Sequence, residues 1–395
     1  MIQNFNKKVL IFPVWYGMGG STMYVSQYVS YLVSNKYEVY VVCRKKDKGS
    51  SFLKDIGAKP VYIYFPFTLN FTALDELNNS LKKILIDIIK LFGGFFISLS
   101  LLLIYRPGNL IIGEFCEIPV LLSSSLFRNK TICFFQTTIS SNKWKRFILF
   151  RLLKNINHLV GITDLHTFDV PYKDKICTVP NFYPNIGISS TNILVDKLNL
   201  NGDRVVLFMG GVSKIKGTRQ FIEIALELIK LRKDLCFVIA GSFHKSFQTK
   251  YGIGENDSEY DYNKDIFDMI GDFIDIKFKF LGEINYTNNV LKHSALFISA
   301  NTYPHFSRPI VEAWANKVPV VANEDLFTKY MCHDSDSILF IDFLHPDKSA
   351  IKINDLLNNT KNIEKQVSEG YCSYRTYYSQ EVATLALDKL FKETV

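Results

Sequence analysis

Apolar and polar positions along this chain follow one order that is used twice. A strand-like run, Lys8 to Val14, leads into a turn holding Gly17, Gly19 and Gly20. Val25, Tyr28, Val29 and Leu32 then recur at helical spacing, and a second apolar run, Tyr37 to Cys43, follows. The second half repeats this as run Arg204 to Met209, turn Gly210 to Gly217, helical pattern Thr218 to Leu231 and run Leu235 to Ala240. Further short runs fall at Leu110 to Ile112, Thr131 to Phe135, His158 to Thr163 and Lys175 to Val179, then at Lys277 to Leu281, Ala295 to Ser299 and Pro319 to Ala322. Strands separated by helical segments predict parallel sheets, because parallel neighbours are joined by right-handed crossovers. The expected class is α/β, with two doubly wound Rossmann-like domains facing across a cleft.

The stretch Pro180 to Asn201 is rich in Asn, Pro, Ser and Gly and marks the join. The expected division is a first domain over 1–182, a linker over 183–201, a second domain over 202–378 and a terminal segment over 379–395. That last segment carries Val382, Leu385, Leu387, Leu390 and Phe391 on a helix from about Gln380 to Glu393 that could return to the first domain. The polar stretch Gly252 to Asn263 reads as a loop.

Composition narrows the classes without choosing among them. A chain of 395 residues with 48% hydrophobic and 21% charged residues is long enough for two cores and too apolar for disorder. The seven cysteines show no CxxC and no metal-ligand spacing, which suits reduced thiols in a cytoplasmic protein. A formal charge of +8 favours anionic partners. No nucleic-acid module accompanies it, so nucleic acid is not expected. The longest apolar stretch, Leu91 to Tyr105, is short of the roughly 20 residues of a spanning helix. It reads as a buried crossover helix, with a helix lying in a membrane interface as the alternative.

Both glycine turns follow a strand and open a helix, where unpaired amides and the helix dipole favour phosphate. Neither spells GxGxxG, and the second strand of each half ends in Arg44-Lys45-Lys46 or in Gly241-Ser242 rather than in an acidic residue, which argues against NAD. Gly17, Gly19 and Gly20 serve close packing, ligand contact or both. In the second turn Gly210, Gly211, Lys214, Lys216 and Gly217 put two lysines beside a helix start, suited to a diphosphate leaving group. Further on, a strand ends at Ser299 and a loop runs to Phe306. Ser307 stands as N-cap of a helix with Pro309 in its first turn. The amides of Phe306 to Arg308 then meet phosphate with Arg308, while Glu312, a turn further in, accepts ribose hydroxyls.

Phe306-Ser-Arg-Pro-Ile-Val-Glu312-Ala-Trp-Ala resembles the donor-site signature of the retaining glycosyltransferases of family 4, or group 1, which have the GT-B fold. Gly19-Gly-Ser-Thr resembles that family's N-terminal glycine loop, Gly210-Gly-Val-Ser-Lys-Ile-Lys-Gly217 its phosphate loop, and Asp334-Ser-Asp-Ser-Ile-Leu-Phe340 the turn and strand after the donor site. The resemblance implies transfer of a sugar from a nucleoside-diphosphate sugar to a glycan or lipid-linked acceptor, with retention, in cell-surface polysaccharide synthesis. It implies a first domain on the acceptor side, a second that binds the donor, and no metal or other cofactor. Glu312 would hold the ribose and Lys216 the diphosphate, while His305, Phe306 and Ser307 would touch sugar or phosphate. The Asp334-Ser-Asp336 triplet is set aside as a metal motif, because it should follow a strand inside a lone nucleotide-binding domain. The basic balance and the apolar stretch extend the expectation to peripheral contact with an anionic membrane, on the inner face of the plasma membrane.

Three positions depart from the family pattern. Pro304 stands where a second glutamate is usual, leaving His305 or Tyr303 as substitutes; Gly211 stands where an arginine is usual; and Gln136 replaces a histidine of the first domain, as a candidate acceptor-side group. These departures motivate a rival reading, a catalytically degenerate relative that binds nucleotide or glycan without transfer. Two further rivals fit less well. An epimerase or inverting transferase does not match the basic loop and the Glu312 helix, and a two-lobed periplasmic binding protein would carry an export signal.

Overall fold

The computed structural model describes residues 7–13, 20–65, 67–69, 71–72, 81–183, 203–243, 258–284 and 287–392. The chain divides into two compact units, Met1–Phe182 with Glu381–Val395, and Tyr183–Gln380. Of the expected linker, residues 184–201 lie outside the described part, as does Gly19.

In the first unit the strands are β1 (Lys8–Phe12), β2 (Glu38–Cys43), β3 (Lys59–Tyr62), β4 (Asn109–Ile112), β5 (Lys130–Phe135), β6 (His158–Gly161) and β7 (Ile176–Thr178). They form one parallel sheet in the order β3-β2-β1-β4-β5-β6-β7. The helices between them are α1 (Gly20–Ser34), α2 (Lys48–Asp55), α3 (Leu81–Tyr105), α4 (Ile118–Ser124), α5 (Lys143–Leu153) and α6 (Asp164–Thr167). Strand order reverses direction at β1, so right-handed crossovers set α1 and α2 on one face and α3 to α5 on the other. Val9 to Phe12 and Leu110 to Ile112 are fully buried, as strands covered on both faces must be.

The second unit holds β8 (Arg204–Met209), α7 (Thr218–Leu231), β9 (Leu235–Ala240), α8 (Ser258–Ile270), β10 (Phe278–Gly282), α9 (Thr287–Lys292), β11 (Ser294–Ser299), α10 (Arg308–Ala315), β12 (Val320–Asn323), α11 (Leu326–Cys332), β13 (Leu339–Ile341), α12 (Pro346–Asn358) and α13 (Thr360–Ser373). Its parallel sheet runs β10-β9-β8-β11-β12-β13. The final helix, α14 (Gln380–Lys392), belongs to the first unit from Glu381 onward. There Tyr31 donates to Asp388 at 2.6 Å, Lys130 Nζ donates to the Leu390 carbonyl at 2.6 Å, and the Phe391 ring packs near Tyr31 and Tyr37.

Two expectations change. Residues 258–263 are not loop but the start of α8, because Tyr262, Ile266 and Ile270 form a buried stripe at a spacing of four of which only Tyr262 falls within the polar stretch. The apolar stretch at 91–105 lies within a 25-residue helix that does cross over between β3 and β4, yet it is not a buried helix. Leu101 and Leu102 face the core, whereas Leu85, Ile89, Phe92, Phe96, Leu103 and Ile104 are exposed. By length and composition alone, Leu85–Tyr105 is apolar enough to cross a membrane.

Candidate functional site

The carboxyl ends of β8, β9 and β11 bring three loops of the second unit together. The backbone of Gly211 lies against that of Ser242: Val212 N donates to Ser242 O at 2.9 Å, and a Cβ on Gly211 would stand 2.0 Å from that oxygen. Gly217 packs equally tightly on Ala300, where a Cβ would fall 1.8 Å from the carbonyl oxygen. Both glycines have positive φ, 65° and 75°, which side-chain-bearing residues adopt only at a cost. The place of the family's arginine is thus closed by backbone contact in this chain. Thr218, fully buried, accepts from Ser213 N at 2.9 Å and donates to Gly211 O at 2.9 Å, holding the turn shut. Thr302 N donates to Ile215 O at 3.0 Å and joins the turn to the loop after β11.

That junction sets Lys216 beside His305, with Nζ to Nε2 at 2.8 Å. His305 Nδ1 lies 2.7 Å from the Tyr303 carbonyl, so Nδ1 carries the proton and Nε2 accepts from the ammonium. Burial and the adjacent Lys216 charge push the imidazole down to about 4, which keeps it neutral at pH 7. Burial also lowers Lys216. Lys214 is turned away from this pair, with Nζ over the Tyr262 ring at 5.4 Å.

Helix α10 begins at Arg308, with Pro309 in its first turn. Ser307 occupies the N-cap position, but its side chain does not cap: Oγ lies 3.2 Å from Ser299 Oγ, which also accepts from Asn301. Arg308 Nε donates to Glu312 Oε1 at 2.8 Å, one turn along a buried face. The second half of each group, Arg308 Nη1 and Glu312 Oε2, is buried and has no hydrogen-bond partner among the described residues. A buried polar atom without a partner costs about 1–3 kcal/mol, more when charged, so a native fold that keeps two side by side implies a polar partner for them. Phe306 is buried against Tyr378.

A neighbouring cluster escaped the sequence reading. Tyr183 OH meets Thr287 and Asn288, and Asn316 Nδ2 donates to Asn288 at 3.1 Å and to the Glu312 carbonyl at 2.8 Å. Burial, with Glu312 close by, pushes the Tyr183 phenol up to about 12. These residues come from three separate segments, and no spacing in the sequence links them.

The carboxyl edge of the first unit gathers a second polar group. Ser21 Oγ donates to Gln136 Oε1 at 2.6 Å, Gln136 Nε2 donates to Gly113 O at 2.8 Å, and Gln136 N donates to Glu114 Oε2 at 2.9 Å. Gln136 therefore ties the first turn of α1 to the start of the loop after β4 with the two ends of its amide. Glu114 and Glu117 are fully buried, and burial holds both carboxyls well above their ordinary range. Sequence reasoning missed them, although Gly-Glu-Phe-Cys-Glu directly after a buried strand was the available signal. Gly20 opens α1, and a Cβ there would meet nothing within 4 Å among the described residues.

Among the described residues no three His, Cys, Asp or Glu are grouped to hold a metal. Asp336 pairs with Lys365 at 2.6 Å on a turn that follows a helix, not a strand.

Residues 190–371 match the family described as Glycosyl transferases group 1. No curated protein sequence matches the chain. Among solved structures, a glycosyltransferase from Rickettsia africae is similar with a TM-score of 0.75 at 15% identity, over 98% of both chains. Anabaena HepE in complex with UDP-glucose is similar with a TM-score of 0.73 at 13% identity, over 98% of this chain and 99% of that one. Sucrose-phosphate synthase from Thermosynechococcus elongatus gives 0.71 at 14% identity, over 98% of both. At such identities the likeness shows the fold, two doubly wound parallel sheets of the GT-B kind.

Proposed function

We propose that this glycosyltransferase, whose residues 190–371 are a group 1 domain in a GT-B fold, moves a sugar from a nucleoside-diphosphate sugar to a glycan or lipid-linked acceptor with retention, in cell-surface polysaccharide synthesis. The observation that carries the donor assignment is the half-satisfied pair on α10. Glu312 Oε2 is the acceptor for ribose hydroxyls and Arg308 Nη1 a donor to phosphate, each completing what the fold leaves open. Lys216, aimed by neutral His305, supplies fixed positive charge at the diphosphate as it leaves. The structure of HepE with UDP-glucose makes a uridine donor the first to try.

In a retaining transfer, charge grows on the sugar carbon and on the leaving diphosphate together. The chain's part is to stabilise the second charge with Lys216 and Arg308 and to hold the acceptor hydroxyl in line, without a metal. Gln136, committed through both ends of its amide, acts on the acceptor side by fixing the loops around it rather than as a base. The protein works at the cytoplasmic face of the plasma membrane, in peripheral contact with anionic lipid.

The rival reading, nucleotide or glycan binding without transfer, draws on Gly211, whose backbone contacts exclude the usual arginine. Thermal shifts against UDP, GDP, ADP and their sugar conjugates, with and without magnesium, test the donor site. A ligand at 100 times its dissociation constant adds about 2.7 kcal/mol. A shift with one nucleoside diphosphate, metal-independent and lost in Glu312→Gln, supports the assignment, and a flat panel on folded protein overturns it. Donor binding without turnover of any sugar conjugate, even to water, favours the rival.

A further inference from the structure

Charge is divided unequally between the two units. The first carries 24 basic and 14 acidic residues, and the second 22 and 24. The whole positive excess of the chain therefore sits away from the domain that holds the proposed diphosphate site, and a nucleotide does not account for it.

Exposed apolar surface is concentrated on the same unit. From α3, Leu85, Ile88 with Ile89, Phe92 and Phe96 follow one another at three- and four-residue steps as an exposed stripe that Leu103 and Ile104 resume beyond the exposed Ser100, with Phe92 and Phe96 each 61% exposed. No charged residue occurs between 91 and 105. The opposite side of α3 is built into the fold. Ser98 is fully buried 2.8 Å from Ser123 of α4, Gly94 backs onto Pro119, and Leu101 and Leu102 belong to the core beneath the sheet. Because α3 is a crossover between strands of one sheet, it lies along that sheet. Spanning a bilayer would mean tearing out its core-facing side.

Helix α5 lies on the same face, with Leu149 and Leu153 in the same core cluster. It shows Trp144 (78% exposed), Phe147 and Ile148 outward, interleaved with Lys143, Lys145 and Arg151. An indole and apolar side chains among cations form the pattern of a surface that sinks into the headgroup boundary of an acidic bilayer. A patch of scattered singles would need no explanation, but an apolar stripe along α3 with a basic aromatic helix on the same side of the sheet does.

We propose that the outer face of α3 and α5 is the membrane-docking surface of this protein, lying flat in the interface of an anionic phospholipid bilayer. The α3 stripe is immersed, and Lys143, Lys145 and Arg151 stand at the phosphates. This deepens the membrane contact proposed above and rests on it. It is independent of the donor site, since every residue involved lies in the first unit.

The test is flotation of the full chain with vesicles of phosphatidylcholine alone and of phosphatidylcholine mixed with phosphatidylglycerol, at low and at physiological salt. The chain should float with the anionic vesicles and not with the neutral ones. Lys143→Glu/Lys145→Glu should weaken binding by at least about fivefold for each basic residue removed. Phe92→Ser/Phe96→Ser should abolish the binding that survives physiological salt. Nucleotide thermal shifts on the same variants serve as the fold check and should be unchanged. A wild-type chain that answers nucleotide but floats with no vesicle strikes this surface alone, and one that floats with anionic vesicles without any nucleotide response strikes the donor reading alone. Binding unaffected by either double variant overturns the proposal. So does a stable dimer in sedimentation velocity that the phenylalanine variant dissociates while wild type ignores vesicles.

Discussion

Arg308 and Glu312 stand one helical turn apart on α10 with Nε and Oε1 at 2.8 Å, while Nη1 and Oε2 of the same two groups have no partner among the described residues. Removing one member of a buried ion pair leaves the other charge uncompensated, at a cost of about 3–5 kcal/mol. Glu312→Ala should therefore lower the urea midpoint as well as donor binding. Glu312→Gln keeps an acceptor for Arg308 Nε, so it should cost less stability while still weakening binding through the ribose contact. Parallel urea titrations and nucleotide binding separate the two effects. If Glu312→Gln binds nucleotide as wild type does, the carboxylate is structural.

The contact of His305 with Lys216 has a pH signature. With the imidazole held at about 4 in the folded chain against about 6.5 unfolded, the unfolded state binds the extra proton between those values. Stability contributed by neutral His305 is thus full above pH 6.5 and is lost as pH falls toward 4, by about 3 kcal/mol at most. His305→Asn keeps an acceptor for Lys216 but cannot titrate. Urea midpoints from pH 7 to pH 4 should fall less steeply in His305→Asn than in wild type. Equal slopes would mean that His305 is not held neutral by its burial and the adjacent Lys216 charge.

The glycines separate packing from ligand contact. Gly217→Ala forces a Cβ to within 1.8 Å of the Ala300 carbonyl oxygen at a φ of 75°, and should cost about 2 kcal/mol or more. Gly20→Ala meets nothing within 4 Å among the described residues and opens a helix, so it should stabilise by up to about 1 kcal/mol. If Gly20→Ala is as stable as wild type or more so but loses transfer, Gly20 touches a ligand. If transfer is unchanged, it does not.

Period and punctuation made most of the architecture legible. Buried strands such as Val205 to Phe208 and Leu235 to Ala240 are continuous apolar runs, and glycines mark the turns where backbone meets backbone. The start of α8 was hidden because Ser258, Glu259 and Asp261 are polar and the buried stripe has only Tyr262 in this stretch. The Lys216–His305 contact and the Asn288–Asn316–Tyr183 cluster were illegible for another reason. They join residues dozens of positions apart, through register between strands that no local pattern specifies. Ser307 shows the converse limit. A good capping residue stands in the capping position, yet Ser299 on the adjacent strand takes its hydroxyl.

Glu114 offers the last test, because its carboxyl is fully buried and held well above its ordinary pKa by that burial, with the Gln136 amide as a partial counterweight. Over the window from the ordinary carboxylate value upward, the folded chain keeps a proton that the unfolded chain has released. Stability attributable to this group is therefore present at low pH and declines as pH rises. Glu114→Gln offers a carbonyl to the Gln136 N–H without any proton to lose. Relative to wild type it should gain more stability at pH 8 than at pH 5, read as the difference in urea midpoints, with Glu117 still titrating in both proteins. A difference between variant and wild type that stays the same from pH 5 to pH 8 would instead show that Glu114 is ionised in the fold. Gln136 would then be held by an anion rather than by a neutral acid.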